Sequence, residues 1–302
     1  MNNPNTPHPL VSCTVLSYNS AKTIVETLNS IAGQTYGKIE LIISDDCSKD
    51  NTVEICRQWI EQNKSRFVRT ELLIVEKNTG ICANANRALE VCKGEWKKGI
   101  AADDILLPNC VEDYVNYVHN HPEAKWVSSY MCVYKENFKP ECCIERKSKL
   151  RRKLFDMSAE GQLRGMLFEN IIPAAPNFYN VSVLRDIGGY DETYSFEDYP
   201  LFITLLEKGY KCYFLDKVTV GYRIHDSTSH LNNKLFNYKF LKEDRKVKKA
   251  KCFKHMSVWQ MFGVHVFWFM HVFIEKNHLN RKTAISSFLY RKLRSSMRFL
   301  FG

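Results

Sequence analysis

Two adjacent carboxylates, Asp103 and Asp104, directly follow the short apolar run Ile-Ala-Ala at 100–102, and Leu-Leu-Pro comes shortly after them. The apolar run predicts a buried strand, and the acids would then lie at its carboxyl edge, where open α/β sheets bind their ligands. Neighbouring anions repel each other unless a cation or hydrogen-bond donors compensate them. Carboxylates on a loop suit Mg²⁺ or Mn²⁺, which bind through one or two such groups and substrate phosphates. The alternative is that one acid caps the helix predicted to begin near Pro108.

Two further acidic pairs occupy comparable positions. Asp45 and Asp46 follow another apolar run, and Glu197 and Asp198 stand at the start of a later predicted helix. Parallel strands present their carboxyl ends at one edge of a sheet, so we expect the acids at 45–46 and 103–104 to open onto the same edge. Three pairs in this order indicate a site. Glu197 and Asp198 could instead form an acidic first turn that the helix dipole favours.

The elements that must position these acids follow from the hydrophobic pattern. Short apolar runs alternate with segments whose apolar residues recur at helical spacing. Strands are predicted at 11–16, 39–43, 71–75 and 96–101, with helices at 24–31, 53–60 and 83–92 between them. Strands and helices that alternate with short connections predict an α/β fold, a mostly parallel sheet flanked by crossover helices.

The pattern beyond Pro108 is less regular. The predicted elements are a helix through 117, a strand at 126–133, a helix at 159–169, a strand at 177–180, a helix through 208 and two short strands within 212–223. The helix through 208 is the one that Glu197 and Asp198 precede.

Composition favours a full-sized globular core, since 45% of the 302 residues are hydrophobic. The 11 cysteines include no Cys-x-x-Cys pair and lack zinc-site spacing, which is typical of proteins in a reducing compartment. Residues 1–9 are polar and proline-rich, which predicts a flexible arm, and they lack the features of a signal peptide. We therefore expect a cytoplasmic protein, or one on the cytosolic face of a membrane.

The positive charge is concentrated in the last quarter of the chain. The formal net charge is +10, but residues 231–302 contain 16 Lys/Arg against 3 Asp/Glu, a balance of +13. The apolar run at 258–274 is slightly short for a bilayer span, which needs about 20 residues. Basic residues beside aromatic ones at 285–301 are typical of a helix at a membrane interface. Alternatively, these helices close over the domain core, and no motif supports nucleic-acid binding.

Taken in order, several motifs resemble those of the family 2 glycosyltransferases with the GT-A fold, and the likeness covers residues 11–229. The segments that carry it are Val-Ser-Cys-Thr-Val-Leu-Ser-Tyr-Asn (11–19), Leu-Asn-Ser-Ile-Ala-Gly-Gln-Thr-Tyr (28–36), Glu-Leu-Ile-Ile-Ser-Asp-Asp-Cys-Ser-Lys-Asp-Asn-Thr (40–52), Asn-Thr-Gly (78–80) with Asn-Arg (86–87), Ala-Asp-Asp (102–104), Gly-Gly-Tyr-Asp (188–191), Glu-Asp-Tyr (197–199) and Tyr-Arg-Ile-His (222–225). Each motif is weak alone, but the ordered set is specific.

The resemblance implies a binding site for a UDP-sugar donor. Asp45 would hydrogen-bond the uracil, and Ser17, Tyr18 and Asn19 would line the base and ribose. Asn86, together with Arg87, would steady the donor. Many family members have Arg at the position of Ala85, so which cation assists Asn86 stays open.

The resemblance also implies the reacting groups. Asp103 would contact the ribose, and Asp104 would hold Mn²⁺ or Mg²⁺ on the diphosphate with His225 nearby. Asp198 would be the general base that takes the proton of the acceptor hydroxyl. Many members have Asp at the position of Ala101, but some lack it, so the metal site stays plausible.

The predicted function is that of an inverting, metal-dependent glycosyltransferase. It would move a sugar from a UDP-sugar to a saccharide or lipid-linked acceptor in bacterial surface-polysaccharide synthesis, peripherally on the cytosolic face of the inner membrane. The predicted domains are the GT-A domain at 10–229 and a basic amphipathic helical extension at 230–302. Two alternatives are a non-catalytic sugar-nucleotide-binding or membrane-scaffold subunit and a nucleotidyltransferase on the same fold.

Overall fold

A computed structural model describes residues 8–148, 150–224 and 234–301. The strands are β1 Val11–Ser17, β2 Ile39–Asp45, β3 Arg69–Ile74, β4 Trp96–Ala101, β5 Ile105–Leu106, β6 Trp126–Lys135, β7 Cys143–Glu145, β8 Asn177–Asn180 and β9 Tyr213–Ile224. The helices are α1 Ile24–Ala32, α2 Thr52–Asn63, α3 Ile81–Val91, α4 Cys110–Asn120, α5 Ala159–Met166, α6 Val181–Asp186, α7 Asp198–Glu207, α8 Tyr238–Val247, α9 Val258–Lys276 and α10 Ala284–Phe301.

The described residues divide into two compact units. The first contains residues up to 162 together with 171–224, and the second contains residues 163–170 together with the described chain from 234 onward. The predicted flexible arm at 1–9 lies outside the described residues except for His8 and Pro9.

One sheet organises the first unit, in the order β3-β2-β1-β4-β8-β6-β9-β5, with β7 paired to β6. The first four strands in this order are parallel, and their register aligns Ser17 with Asp45 and Leu16 with Ala101. The carboxyl ends of β1, β2 and β4 therefore meet at one edge, as the alternation of strands and helices predicts. The predicted α/β fold with a mostly parallel sheet is confirmed in this half, while β8 and β5 add antiparallel pairs.

Burial explains why the central strands β1 and β2 are rich in apolar residues. Every residue of β2 is buried, and so is every residue of β1 except Leu16, because both sheet faces are covered. Phe178 of β8 is fully buried and stacks on Trp96 and Tyr114, with ring centroids 5.1 and 5.0 Å apart. These rings contribute to the core behind the carboxyl edge.

The prediction of two short strands within 212–223 was wrong, because this segment is one strand, β9, of 12 residues. The polar pair Asp216-Lys217 resembles a break in sequence but forms a bulge. Leu215 pairs with Ser129 of β6 and Val218 pairs with Tyr130, so two extra residues of β9 are accommodated. β9 then continues to Ile224 and brings Tyr222 and Arg223 to the carboxyl edge.

Helices α9 and α10 form an antiparallel pair in the second unit. His271 of α9 lies 2.7 Å (Nε2) from the hydroxyl of Tyr290 of α10, and the indole nitrogen of Trp259 donates to the carbonyl of Leu300 at 3.0 Å. The His271 ring is buried against Phe236, and this burial lowers its pKa to about 4. Within the described chain, no helix has both the length and the apolarity that crossing a bilayer requires.

Candidate active site

Asp45 joins the ends of β1 and β2. Its side chain is fully buried, Oδ2 accepts from the hydroxyls of Ser17 at 2.8 Å and Ser48 at 2.6 Å, and Oδ1 accepts from the Ser48 N–H at 2.8 Å. The buried carboxylate is thus satisfied within the protein. The predicted contact between Asp45 and uracil stays a prediction.

Asn19 extends this network to the surface. Its N–H donates to the hydroxyl of Ser48 at 2.7 Å, and its Oδ1 accepts from the N–H of Lys49 at 2.7 Å. Asn19 has a φ of 53°, a left-handed conformation that Asn tolerates better than most residues. The neighbouring Tyr18 is 49% exposed, so its ring is available to a ligand at this edge.

Asp46 ties β2 to the start of α3. Its carboxylate accepts from the Thr79 hydroxyl at 2.7 Å and the Gly80 N–H at 2.8 Å, and it pairs with Arg87 at 3.4 Å. Burial alone would raise the pKa of Asp46, but the hydrogen bonds from Thr79, Gly80 and Arg87 lower it below the ordinary value. Asp46 is therefore an anion that fixes the loop before α3.

Asn86 of α3 holds the turn before Glu192. Its Nδ2 donates to the carbonyl of Tyr190 at 2.8 Å and to Glu192 Oε1 at 2.7 Å, and its Oδ1 accepts from the N–H of Tyr190 at 2.7 Å. Gly189 allows this approach, because a Cβ there would lie 2.5 Å from the Asn86 Oδ1. The amide therefore positions the turn, and the predicted contact of Asn86 with a donor stays a prediction.

Asp104 lies buried at the end of β4, and Asp103 beside it is partly exposed. Burial, assisted by the charge of Asp103, raises the pKa of Asp104 to about 8. Within the described chain, the only hydrogen bond donated to its carboxylate comes from the N–H of Arg223 and reaches Oδ1 at 2.8 Å. Oδ2 is thus left without a donor.

Arg223 connects the loop that contains Asp103 and Asp104 to α1, a role that was not predicted from the sequence. Its guanidinium donates to the carbonyls of Asp103 at 2.7 Å and Glu136 at 2.9 Å, and to Oε2 of Glu26 at 2.6 Å. The side chain is buried and lies over the ring of Phe138. This rigid fork, with several acceptors in fixed positions, is a geometry that lysine does not reproduce.

Glu197 and Asp198 stand where α7 begins, and Asp198 occupies its first turn. Burial and the adjacent charge of Asp198 raise the pKa of Glu197 to about 7. Tyr222 of β9 links this pair to the other acids. Its pKa is raised to about 12 by burial and then by the charges of all four carboxylates, those at 103, 104, 197 and 198. The charges of both acidic pairs thus act on one tyrosine.

Two lysines in the middle of β4 were also missed from the sequence. Lys98 is fully buried, and its Nζ donates to the carbonyls of Gly99 and Ala175, both at 2.8 Å. Lys97, the preceding residue of β4, is also buried, and its Nζ donates to the Tyr190 hydroxyl at 3.1 Å. Its positive charge lowers the pKa of Glu197 and so offsets part of the rise that burial causes. The signal was present, because two lysines inside a buried strand are unusual.

The metal prediction rests on the carboxylates at 103 and 104. His225 lies outside the described residues, and among residues 8–148, 150–224 and 234–301 no cluster of three or more His, Cys, Asp or Glu side chains could hold a metal ion. The donor set fits a cation that shares its coordination with substrate phosphates, because Oδ2 of Asp104 accepts no hydrogen bond from the described part of the chain and Asp103 is adjacent.

Comparisons with known proteins identify the family and the fold of this chain. The model of the family "Glycosyl transferase family 2" matches residues 12–166, slightly more than half of the chain. An uncharacterized glycosyltransferase of Methanocaldococcus jannaschii is 26% identical over 267 residues, which cover 84% of this chain and 85% of that protein. TuaG of Bacillus subtilis, a glycosyltransferase named for teichuronic acid biosynthesis, is 23% identical over 224 residues, 74% of this chain and 82% of that protein.

A solved structure shares the fold. The S. aureus TarS fragment 1–349 in complex with UDP-GlcNAc superimposes with a TM-score of 0.58 at 20% identity, covering 79% of this chain and 65% of that one. This chain therefore spans slightly less than two thirds of the TarS fragment. The likeness confirms the predicted fold class, and the matched family shows that this chain belongs to glycosyl transferase family 2.

Proposed function

We propose that this glycosyltransferase is an inverting, metal-dependent enzyme that uses a UDP-sugar. The observation that carries the proposal is that the charges of two acidic pairs, 103–104 and 197–198, both act on Tyr222, whose neighbour Arg223 donates its N–H to Asp104. A carboxylate that takes a proton and a pair that holds a cation on a diphosphate are the two groups that the reaction needs.

The donor would lie along the carboxyl edge of the sheet. Tyr18 is exposed beside the network of Ser17, Asn19 and Asp45, which would form the nucleoside side of the site. The UDP-GlcNAc in the TarS complex supports a UDP-sugar donor for a protein of this fold. Asn86 would steady the donor indirectly, by fixing the turn that contains Tyr190.

The reaction proceeds by direct displacement at the anomeric carbon. Asp198 accepts the proton of the acceptor hydroxyl. At the same time the oxygen of that hydroxyl forms a bond to the anomeric carbon, and the bond from that carbon to the diphosphate breaks. UDP leaves with the electron pair, and attack from the opposite face inverts the configuration, as in inverting glycosidases. A bound Mn²⁺ or Mg²⁺ supplies electrostatic stabilisation of the departing diphosphate. Asp103 and Asp104, with His225, would hold it.

The acceptor would be a saccharide or a lipid-linked saccharide in surface-polysaccharide synthesis. The name of TuaG refers to teichuronic acid, which supports a polysaccharide product. Helices α9 and α10 expose aromatic and aliphatic side chains beside many basic residues, which supports peripheral attachment to the cytosolic face of the membrane.

The test is product analysis with purified protein, a panel of UDP-sugars, Mn²⁺ or Mg²⁺ and saccharide acceptors. We expect UDP to be released and the new linkage to have the anomeric configuration opposite to that of the donor. Pyrophosphate release would instead identify a nucleotidyltransferase, and retained configuration would exclude direct displacement. Binding of UDP without any turnover would identify a non-catalytic subunit.

A further inference from the structure

A cavity of about 590 Å³ lies in the second unit, and none of the residues assigned to catalysis lines it. The turn between α9 and α10 forms most of its wall, and the chain shortly before α8 completes it. The charged side chains that line it are those of Lys234, Glu275, Arg281 and Lys282, and His278 lies among them.

The cavity has an excess of positive charge. Its single lining carboxylate, Glu275, lies 3.8 Å from the Nζ of Lys234 and accepts a hydrogen bond from Asn280 at 2.7 Å. Among the described residues, neither Arg281 nor Lys282 forms an ion pair. Two cations are therefore left to compensate an external anion, and phosphate oxygens suit both guanidinium and ammonium groups.

Asn280 fixes the two walls of the cavity to each other. The residue is buried, its Oδ1 accepts from the N–H groups of Leu235 and Phe236 at 2.8 and 3.2 Å, and its Nδ2 donates to the carbonyl of Phe236 at 2.9 Å. Lys234 is thereby held opposite the turn that contains Arg281.

Apolar side chains are exposed next to these cations along the chain. Phe273 is 62% exposed, Leu279 54% and Ile285 75%, and each lies within two residues of a residue that lines the cavity. The exposed apolar row continues along the same helix pair through Trp259, Phe262, Phe269, Phe288, Leu289, Leu293 and Leu300. Such a row favours the interfacial region of a bilayer, where apolar groups leave water beside anionic headgroups.

We infer that this cavity binds the phosphate headgroup of an anionic membrane lipid while the adjacent apolar side chains enter the interface. A free phosphate would satisfy the cations but would leave the apolar row in water, so the combination favours a lipid. The inference deepens the proposed membrane attachment of this glycosyltransferase and rests on it.

The test compares two variants that remove the same charge. The cavity variant is Lys234→Gln/Arg281→Gln/Lys282→Gln, and the control is Lys239→Gln/Lys249→Gln/Arg291→Gln, which changes exposed basic residues outside the cavity. Sedimentation with phosphatidylcholine vesicles, with and without phosphatidic acid, measures binding. We expect the cavity variant to lose affinity for phosphatidic acid vesicles by about tenfold or more, and the control by about threefold or less. Equal losses would show diffuse attraction and overturn the proposal.

Two further measurements distinguish the sources of the phosphate. Ile285→Asn should weaken vesicle binding and leave calorimetric binding of inorganic pyrophosphate unchanged. The reason is that the side chain of Ile285 enters an apolar environment only when the ligand is a membrane lipid. Pyrophosphate binding that occurs without divalent cations, is lost in the cavity variant and belongs to a wild-type protein that does not bind vesicles would assign the cavity to a soluble ligand and overturn the lipid. Vesicle binding requires no turnover, so Asp198→Asn should bind like the wild type, and failure of the proposed reaction would be seen separately.

Discussion

The main-chain nitrogen of Arg223 donates to Oδ1 of Asp104 at 2.8 Å, so the carboxyl end of β9 determines the orientation of the buried acid at the end of β4. The same arginine holds the carbonyl of Asp103 through its guanidinium. Both carboxylates proposed for the metal are thus positioned by one residue that lies 119 positions from Asp104 along the chain.

Replacement of Arg223 should therefore affect stability and activity together. Arg223→Ala removes the hydrogen bonds that the guanidinium donates to the carbonyls of Asp103 and Glu136, and we expect the free energy of unfolding to fall by about 2–4 kcal/mol. Arg223→Lys should restore only part of it. Urea unfolding measures the change, and Lys64→Ala, which breaks an exposed ion pair with Glu61, should cost at most about 0.5 kcal/mol. Equal costs at both positions would contradict this account.

The turn held by Asn86 provides a matched pair of glycines. Gly188 and Gly189 both have positive φ, 86° and 73°, but an added Cβ meets the Asn86 Oδ1 only at Gly189. Gly188→Ala should cost about 1–2 kcal/mol from its backbone conformation, and Gly189→Ala about 1–3 kcal/mol more. In an Asn86→Ala background the extra cost should disappear, which a double-mutant cycle of unfolding free energies measures. Persistence of the extra cost would place its origin elsewhere.

The raised pKa of Glu197 predicts a pH dependence of stability. The folded protein retains this proton up to about pH 7, whereas the unfolded chain releases it near 4.5, so the folded state binds more protons between these values. Stability should fall as the pH rises through this window, by about 1–3 kcal/mol from this residue. Glu197→Gln should remove that part of the slope in urea unfolding at several pH values, and Glu54→Gln at an exposed position should not. An unchanged slope in Glu197→Gln would refute the assignment.

The sequence predicted the parallel half of the sheet because its central strands β1 and β2 are short, largely apolar segments buried on both faces. It did not predict which hydrogen-bond partners the polar side chains at the carboxyl edge have. Asn86 contacts Tyr190 across 104 residues, and no local pattern encodes such a pairing. The bulge at Asp216-Lys217 was misread for a related reason, because only pairing with β6 shows that the strand continues.

Lys97 illustrates a signal that was visible but not used. A lysine inside an apolar strand requires a special environment, and the structure supplies one in the Tyr190 hydroxyl and ring. Its effect on Glu197 could not be derived from spacing, because α7 lies about a hundred residues further along the chain.

The most direct test of the account is the transfer rate of Asp198→Asn measured beside its affinity for UDP. Asparagine keeps the size of the side chain but cannot take the acceptor proton, so we expect transfer to fall by about 10²–10⁴-fold while the Kd for UDP changes by less than about threefold. A variant that transfers sugar at the wild-type rate would contradict the assignment of Asp198 as the base, and with it the proposed mechanism.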